Sequence, residues 1–89
     1  IPLSGRPNNV DVSLDGNYVY VGIRQGDGAV DIIDTARNRN IRSVPVKGEV
    51  HNVYVTPDGR HVVAGSIAGK TISVSDSRSQ NLSWTLTLI

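Results

Sequence analysis

His51 is the side chain best suited to chemistry in this sequence, because it directly precedes a short stretch of alternating apolar residues. A neutral imidazole can ligate iron or copper, and near pH 7 it can act as an acid or a base. Asp11, in an earlier stretch of the same pattern, is the carboxylate that would complete a polar pair. We predict His51 and Asp11 as candidate cofactor-binding residues, with His51 as the candidate metal ligand, and we assign no catalytic residue.

The competing interpretation makes His51 a polar residue that bonds to backbone or water. One histidine without visible partners is weak evidence for a site. The other histidine, His61, follows a turn and is predicted to be a strand residue on a sheet face.

Several aspartates resemble carboxylate pairs, but they recur along the sequence at a fixed spacing. The pairs Asp15-Gly16 and Asp58-Gly59 are 43 residues apart, and Asp34 and Asp76 close two similar stretches. Aspartate bonds to nearby backbone N–H groups and glycine accepts a positive φ, as tight turns require. We therefore predict structural turns at six residues: Asp15, Gly16, Asp34, Asp58, Gly59 and Asp76.

These turns belong to an internal repeat. Shifted by 43 residues, "IPLSGRPNNVDVSLDGNYVYVG" falls on "VPVKGEVHNVYVTPDGRHVVAG", and "AVDIIDT" then falls on "TISVSDS" after a one-residue deletion. A period of about 40–45 residues is typical of a four-stranded β-propeller blade. Alternating and β-branched stretches predict strands over 10–14, 18–23, 29–34 and 41–46, and again over 52–56, 61–67, 71–75 and 82–88.

The predicted fold is all-β, with two four-stranded antiparallel propeller blades in a single segment over residues 1–89. Blade 1 covers about 6–46 and blade 2 about 49–89, while residues 1–5 match the tail of a fourth strand from a preceding blade. Two blades leave one sheet face uncovered on each side. We therefore expect a fragment of a longer propeller or an oligomerising unit.

The stretches "NNVDVSLDGNYVYVGIRQGDGAVDIIDT" and "HNVYVTPDGRHVVAGSIAGKTISVSDS" resemble the YVTN-type β-propeller repeat, which combines a PDG turn, a β-run and an ID[ST] end. Ser75 departs from this pattern, because it replaces the isoleucine before Asp76. The resemblance implies a seven- or eight-bladed propeller that is secreted or periplasmic. Some propellers of related repeat type hold a haem or copper in the central channel, close to where His51 is expected.

Composition narrows the classes of partner. Nine Lys and Arg residues against 8 Asp and Glu give a net charge of +1, so we expect no nucleic acid and no membrane as partner. Cysteine is absent, which excludes disulfides and thiolate chemistry. The expected partners are other blades, in the same chain or by self-association, and a protein or small ligand at the rim loops.

Three functions follow from these observations. The first is a non-catalytic propeller segment that serves as a scaffold or a protein- or ligand-binding surface. The second is part of a propeller enzyme with a channel-bound redox cofactor or metal, either haem or copper dependent or lactonase-like. The third is a self-assembling two-blade module. We predict no cofactor for this chain itself, and we place a haem or metal, if any, in the complete propeller.

Overall fold

The computed structural model describes residues 1 to 88, which form two four-stranded antiparallel sheets. The first sheet, blade 1, contains β1 (Pro7–Val12), β2 (Tyr18–Ile23), β3 (Ala29–Asp34) and β4 (Arg39–Pro45) in sequence order. The second sheet, blade 2, contains β5 (Asn52–Val55), β6 (His61–Ser66), β7 (Thr71–Asp76) and β8 (Leu82–Thr87). The predicted all-β fold with two antiparallel four-stranded blades is therefore confirmed.

The predicted strands agree best in the middle of each sheet. β2 and β3 have the predicted bounds, whereas β1 begins at Pro7 and ends at Val12 instead of covering 10–14. Ser13 belongs to the turn, because its amide donates to the Tyr18 carbonyl at 2.9 Å and its hydroxyl accepts from the Tyr18 amide. The outermost strand β4 starts earlier than predicted, at Arg39, and contains a register shift beside Ile32 and Ile33.

The first turn of each blade is built in the same way. In blade 1, Asp15 Oδ1 accepts from the Asn17 amide at 2.9 Å and from the Ser13 hydroxyl at 2.7 Å, and Gly16 has φ +76°. In blade 2, Asp58 Oδ1 accepts in the same way from Arg60 and Thr56, and Gly59 has φ +72°.

The turn between the third and fourth strands also repeats. Asp34 Oδ1 accepts from the amides of Ala36 and Arg37, and Asp76 Oδ1 accepts from those of Arg78 and Ser79. All six residues assigned to turns thus lie in or beside the reversals that join consecutive strands.

The two sheets pack face to face across one apolar cluster. Blade 1 contributes side chains that include Tyr20 and Ile32, and blade 2 contributes Val53, Val62 and Ala64, all at most 4% exposed. A smaller cluster of Val21, Ile23 and Ile33 lies on the opposite face of blade 1, where Leu3 packs against it. β2 and β3 therefore bury side chains on both faces of blade 1, which explains why their sequences are nearly continuous apolar runs.

Candidate functional site

Polar side chains of β1, the first strand of blade 1, bind the backbone of β5, the first strand of blade 2. Asn9 Oδ1 accepts from the Val53 amide, and Asp11 Oδ2 accepts from the Val55 amide, both at 2.8 Å. The second oxygen of Asp11 accepts from the amide of Val12 at 2.8 Å. Both carboxylate oxygens of Asp11 are therefore used in joining the blades and in ordering β1, and the cofactor role for this residue stays a prediction.

Asn8 and His51 occupy corresponding positions in the two blades. The Asn8 amide nitrogen donates to the carbonyl of His51 at 2.8 Å and more weakly to that of Val50 at 3.4 Å. The backbone N–H of His51 donates to Gly65 at 2.8 Å, and its side chain is exposed. The structure therefore places His51 beside Asn8 at the blade junction, while the carboxylate of Asp11 binds Val55 further along β5.

His51 lines an open groove at the end of the sheets where β1 and β5 begin. The groove has a volume of about 320 Å³, and we call it the rim groove. Its lining comes from the start of β1 and from loops beside the strands of both blades: Asn8, Arg24, Glu49, Val50, His51, Ile67 and Ala68.

Charge and apolar surface are both present in the rim groove. Arg24 Nε lies 3.9 Å from Glu49 Oε2, and both side chains are about half exposed, so this ion pair contributes little to stability. Val50 is buried at 1% exposure, whereas Ile67 is 70% exposed. The groove thus combines hydrogen-bonding groups with an apolar side chain that projects into solvent.

The residues of the rim groove break the sequence repeat. Arg24 stands where blade 2 has Ile67, Glu49 where blade 1 has Arg6, and His51 where blade 1 has Asn8. These breaks are visible in the sequence, but their convergence depends on the packing of the two blades. Sequence reasoning therefore found His51 and missed the groove that it shares with Arg24 and Ile67.

A second opening lies at the other end of blade 2. It has a volume of about 660 Å³, and its lining includes Arg60, His61 and Arg78 together with Asp58 and Asp76. The Thr56 hydroxyl and the Arg60 amide lower the pKa of Asp58, and the amides of Ser79 and Arg78 lower that of Asp76. His61, predicted as a strand residue on a sheet face, is the first residue of β6 and lines this opening.

The metal prediction rests on a small donor set. The rim groove offers the imidazole of His51 and the carboxylate of Glu49, which pairs with Arg24. Among residues 1 to 88, no group of three or more His, Cys, Asp and Glu side chains is arranged to hold a metal ion. A copper or haem bound at His51 would therefore take further ligands from outside the described residues, and this role stays a prediction.

The chain is similar in structure to several solved propellers. It matches hydrazine synthase of Kuenenia stuttgartiensis with a TM-score of 0.85 and 19% identity, over 99% of this chain and 25% of that one. It matches the WD40 repeats of RRP9 with a TM-score of 0.83 and 15% identity, over 99% and 28% of the two chains. A β-propeller domain from Myceliophteria thermophila gives 0.83 and 17%, over 98% and 27%.

These likenesses decide the fold. The chain is a pair of β-propeller blades. It spans about a quarter of the length of each propeller chain that it matches. No family model matches the sequence, and no curated protein matches it. None of the described residues forms a helix long and apolar enough to cross a membrane.

Proposed function

We propose that this chain is a non-catalytic β-propeller segment that binds a ligand, most simply a short peptide of a protein partner, in its rim groove. The observation that carries the proposal is that Arg24, Glu49 and His51, which break the repeat, line one groove together. Residues that recur with the repeat form turns and blade contacts instead. The side chains left for recognition are therefore concentrated at one end of the sheets.

The lining of the rim groove favours a peptide with one apolar side chain. Ile67 and Ala68 offer an apolar wall, and the 70% exposure of Ile67 leaves room for an apolar contact. Arg24, Glu49 and His51 offer donors and acceptors for backbone amide groups of the peptide. Burial of Ile67 would supply affinity, and the polar groups would supply orientation.

A displayed library of short random peptides, selected on the immobilised chain, tests this proposal. We expect enriched peptides that carry an apolar residue and that lose about tenfold or more in affinity for Ile67→Ser and for His51→Ala. Arg60→Ala is the matched control, because Arg60 is exposed at the opposite end of blade 2. Selected peptides that bind Ile67→Ser and His51→Ala as well as the unchanged chain would contradict the proposal.

The YVTN-type resemblance extends the proposal to the whole protein. The PDG turn, the β-run and the Asp-Ser end in blade 2, together with the corresponding residues of blade 1, support a YVTN-type propeller of seven or eight blades in a secreted or periplasmic setting. The groove on these two blades would then form one sector of a longer rim. Fold alone does not select a function, so the proposal rests on the groove residues.

A further inference from the structure

Both outward faces of the molecule carry apolar side chains, and on blade 1 these lie around the buried carboxylate of Asp31, which accepts from the amide and the hydroxyl of Ser4. On blade 2, cross-strand pairs place Tyr54, Val63, Val74 and Trp84 on the face that points away from blade 1. Tyr54 is 58% exposed and Trp84 is 53% exposed. We call this the blade 2 outer face, and it also includes Ile72, Leu86 and Leu88.

Blade 1 has a corresponding outward face. Val10 pairs with Val21, and Val12 pairs with Val19, which puts all four on the side away from blade 2. Val10 is 57% exposed and Val12 is 48% exposed. We call this the blade 1 outer face.

The interface between blade 1 and blade 2 indicates what these outer faces bind, because it is built from the corresponding faces of the repeat. Blade 1 packs on blade 2 with the face that bears Asp11, Tyr20, Ile32 and Arg42, which pair across neighbouring strands. In blade 2 the repeat places Tyr54, Val63, Val74 and Trp84 at the same positions, in the same order. Blade 2 packs on blade 1 with Val53, Val62 and Ala64, which align with Val10, Val19 and Val21. The two halves of one interface thus lie on the two outward faces of the molecule.

We propose that a second copy of this chain docks head to tail, with the blade 2 outer face of one copy on the blade 1 outer face of the next. The new interface repeats the internal one in register. Such an interface is heterologous, so it adds copies until a ring closes, or without limit where the rotation does not close. Because the chain spans about a quarter of each propeller chain that it matches, about four copies would supply the length of one such chain, and we expect a closed ring of four.

The hydrogen-bonding groups of the first strands, β1 and β5, are compatible with this docking. Asn52 aligns with Asn9, so its side-chain oxygen would accept from the Val10 amide of the second copy as Asn9 accepts from Val53. Tyr54 replaces Asp11 and brings no carboxylate. None is required, because the Val12 amide that it would face already donates to Asp11 of its own copy. The amides of Val10 and Val12 would therefore both have an acceptor in the docked pair.

The last strands of the two blades, β4 and β8, carry a second pair of residues that change together between the internal and the proposed interface. Inside the molecule, the Arg42 guanidinium donates to the side-chain oxygen of Asn81 and to the carbonyl of Ser79. At the proposed interface Trp84 replaces Arg42, and Arg39 of the second copy replaces Asn81. A guanidinium against an indole is a favourable cation–π pair, so the change on one side is matched by a change on the other.

Residues 1 to 3 compete with this docking. Leu3 packs on the blade 1 outer face, at the position that aligns with Val46 in the internal interface and with Leu88 in blade 2. Leu88 of an arriving copy would therefore take the place of Leu3. Deletion of residues 1 to 3 should strengthen association, whereas a docking site elsewhere would leave affinity unchanged or lower.

Sedimentation velocity and the fluorescence of Trp84, the only tryptophan in the chain, test the proposal together. We expect the mass to rise with concentration and the Trp84 emission to shift to shorter wavelength as the indole is buried. Trp84→Glu, and separately Val12→Glu, should each weaken self-association about tenfold or more. Ile67→Glu is the control for self-association, because Ile67 is apolar and 70% exposed but lies on the rim groove, outside both outer faces.

Mixing the two variants fixes the direction of docking. Each variant keeps one intact face, so an equimolar mixture of Trp84→Glu and Val12→Glu should form a heterodimer at a concentration at which each variant alone is monomeric. Circular dichroism verifies that both variants stay folded. A chain that stays monomeric at every concentration would overturn the proposal. So would a Val12→Glu variant that still dimerises alone, which would indicate contact between two blade 2 outer faces.

Discussion

At the scale of single residues, Asp11 joins the blades with one carboxylate that accepts two backbone N–H groups. We expect Asp11→Ala to lower the free energy of unfolding by about 1–3 kcal/mol, because the amide of Val55 loses its acceptor in a partly buried position. Urea denaturation measures this change. Asp27→Ala is the matched control, since Asp27 is exposed in the loop between β2 and β3, and an equal loss for both variants would contradict the prediction.

The turn aspartates predict how stability depends on pH. Hydrogen bonds from Thr56 and Arg60 hold the pKa of Asp58 below its ordinary value of 3.8, and the amides of Ser79 and Arg78 do the same for the pKa of Asp76. The folded state therefore binds these protons less tightly than the unfolded state. The resulting stabilisation is complete above the unfolded pKa and is lost as the pH falls through the folded pKa values.

We therefore expect the urea midpoint to fall between pH 5 and pH 2, and to fall less steeply in the double variant Asp58→Asn, Asp76→Asn. Asparagine keeps an acceptor oxygen for the turns but does not titrate. Midpoints measured at several pH values test this. A double variant with an acid dependence as steep as that of the unchanged chain would show that other groups dominate.

At the scale of elements, two glycines in the loop between β2 and β3 distinguish the cost of a positive φ from the cost of a steric overlap. Gly26 and Gly28 have φ of +60° and +85°. A Cβ at Gly26 meets no described atom within 4 Å, whereas a Cβ at Gly28 would overlap the carbonyl of Gly48. We expect Gly26→Ala to cost about 1 kcal/mol from the positive φ alone and Gly28→Ala more than about 3 kcal/mol. Similar unfolding midpoints for the two variants would contradict this.

Local signals account for the elements that could be predicted from the sequence. β2 and β3 are rich in β-branched and aromatic residues and are bounded by Gly and Asp turns, so their bounds follow from residues within and beside each run. The role of Asn9 and Asp11 could not be predicted in this way, because their partners Val53 and Val55 lie 44 residues away. The rim groove escaped prediction for the same reason, since Arg24 and His51 meet only when the blades pack.

At the scale of the whole molecule, the shared cluster couples the stability of the two blades. Val53 is 1% exposed in that cluster, and Val10, its counterpart in the repeat, is 57% exposed on the blade 1 outer face. In a Trp84→Glu background that keeps the chain monomeric, we expect Val53→Ala to cost about 2 kcal/mol and Val10→Ala less than about 0.5 kcal/mol.

Hydrogen exchange then tests the coupling between blades. Tyr20 and Ile32 of blade 1 share the apolar cluster with Val53 of blade 2. Val53→Ala should therefore reduce amide protection in β2 and β3 as well as in β5 and β6. Loss of protection confined to blade 2 would mean that the sheets unfold separately.

The fixed direction of blade packing also has a consequence for the gene. Every blade meets the one before it with one side of its sheet and the one after it with the other, so a newly duplicated repeat keeps the direction of packing on both sides. Unequal recombination between repeats can therefore add or remove whole blades, and specific polar contacts such as that of Arg42 with Asn81 would be refitted afterwards. The number of blades would then change in steps of one repeat, ahead of the substitutions that adjust the contacts between them.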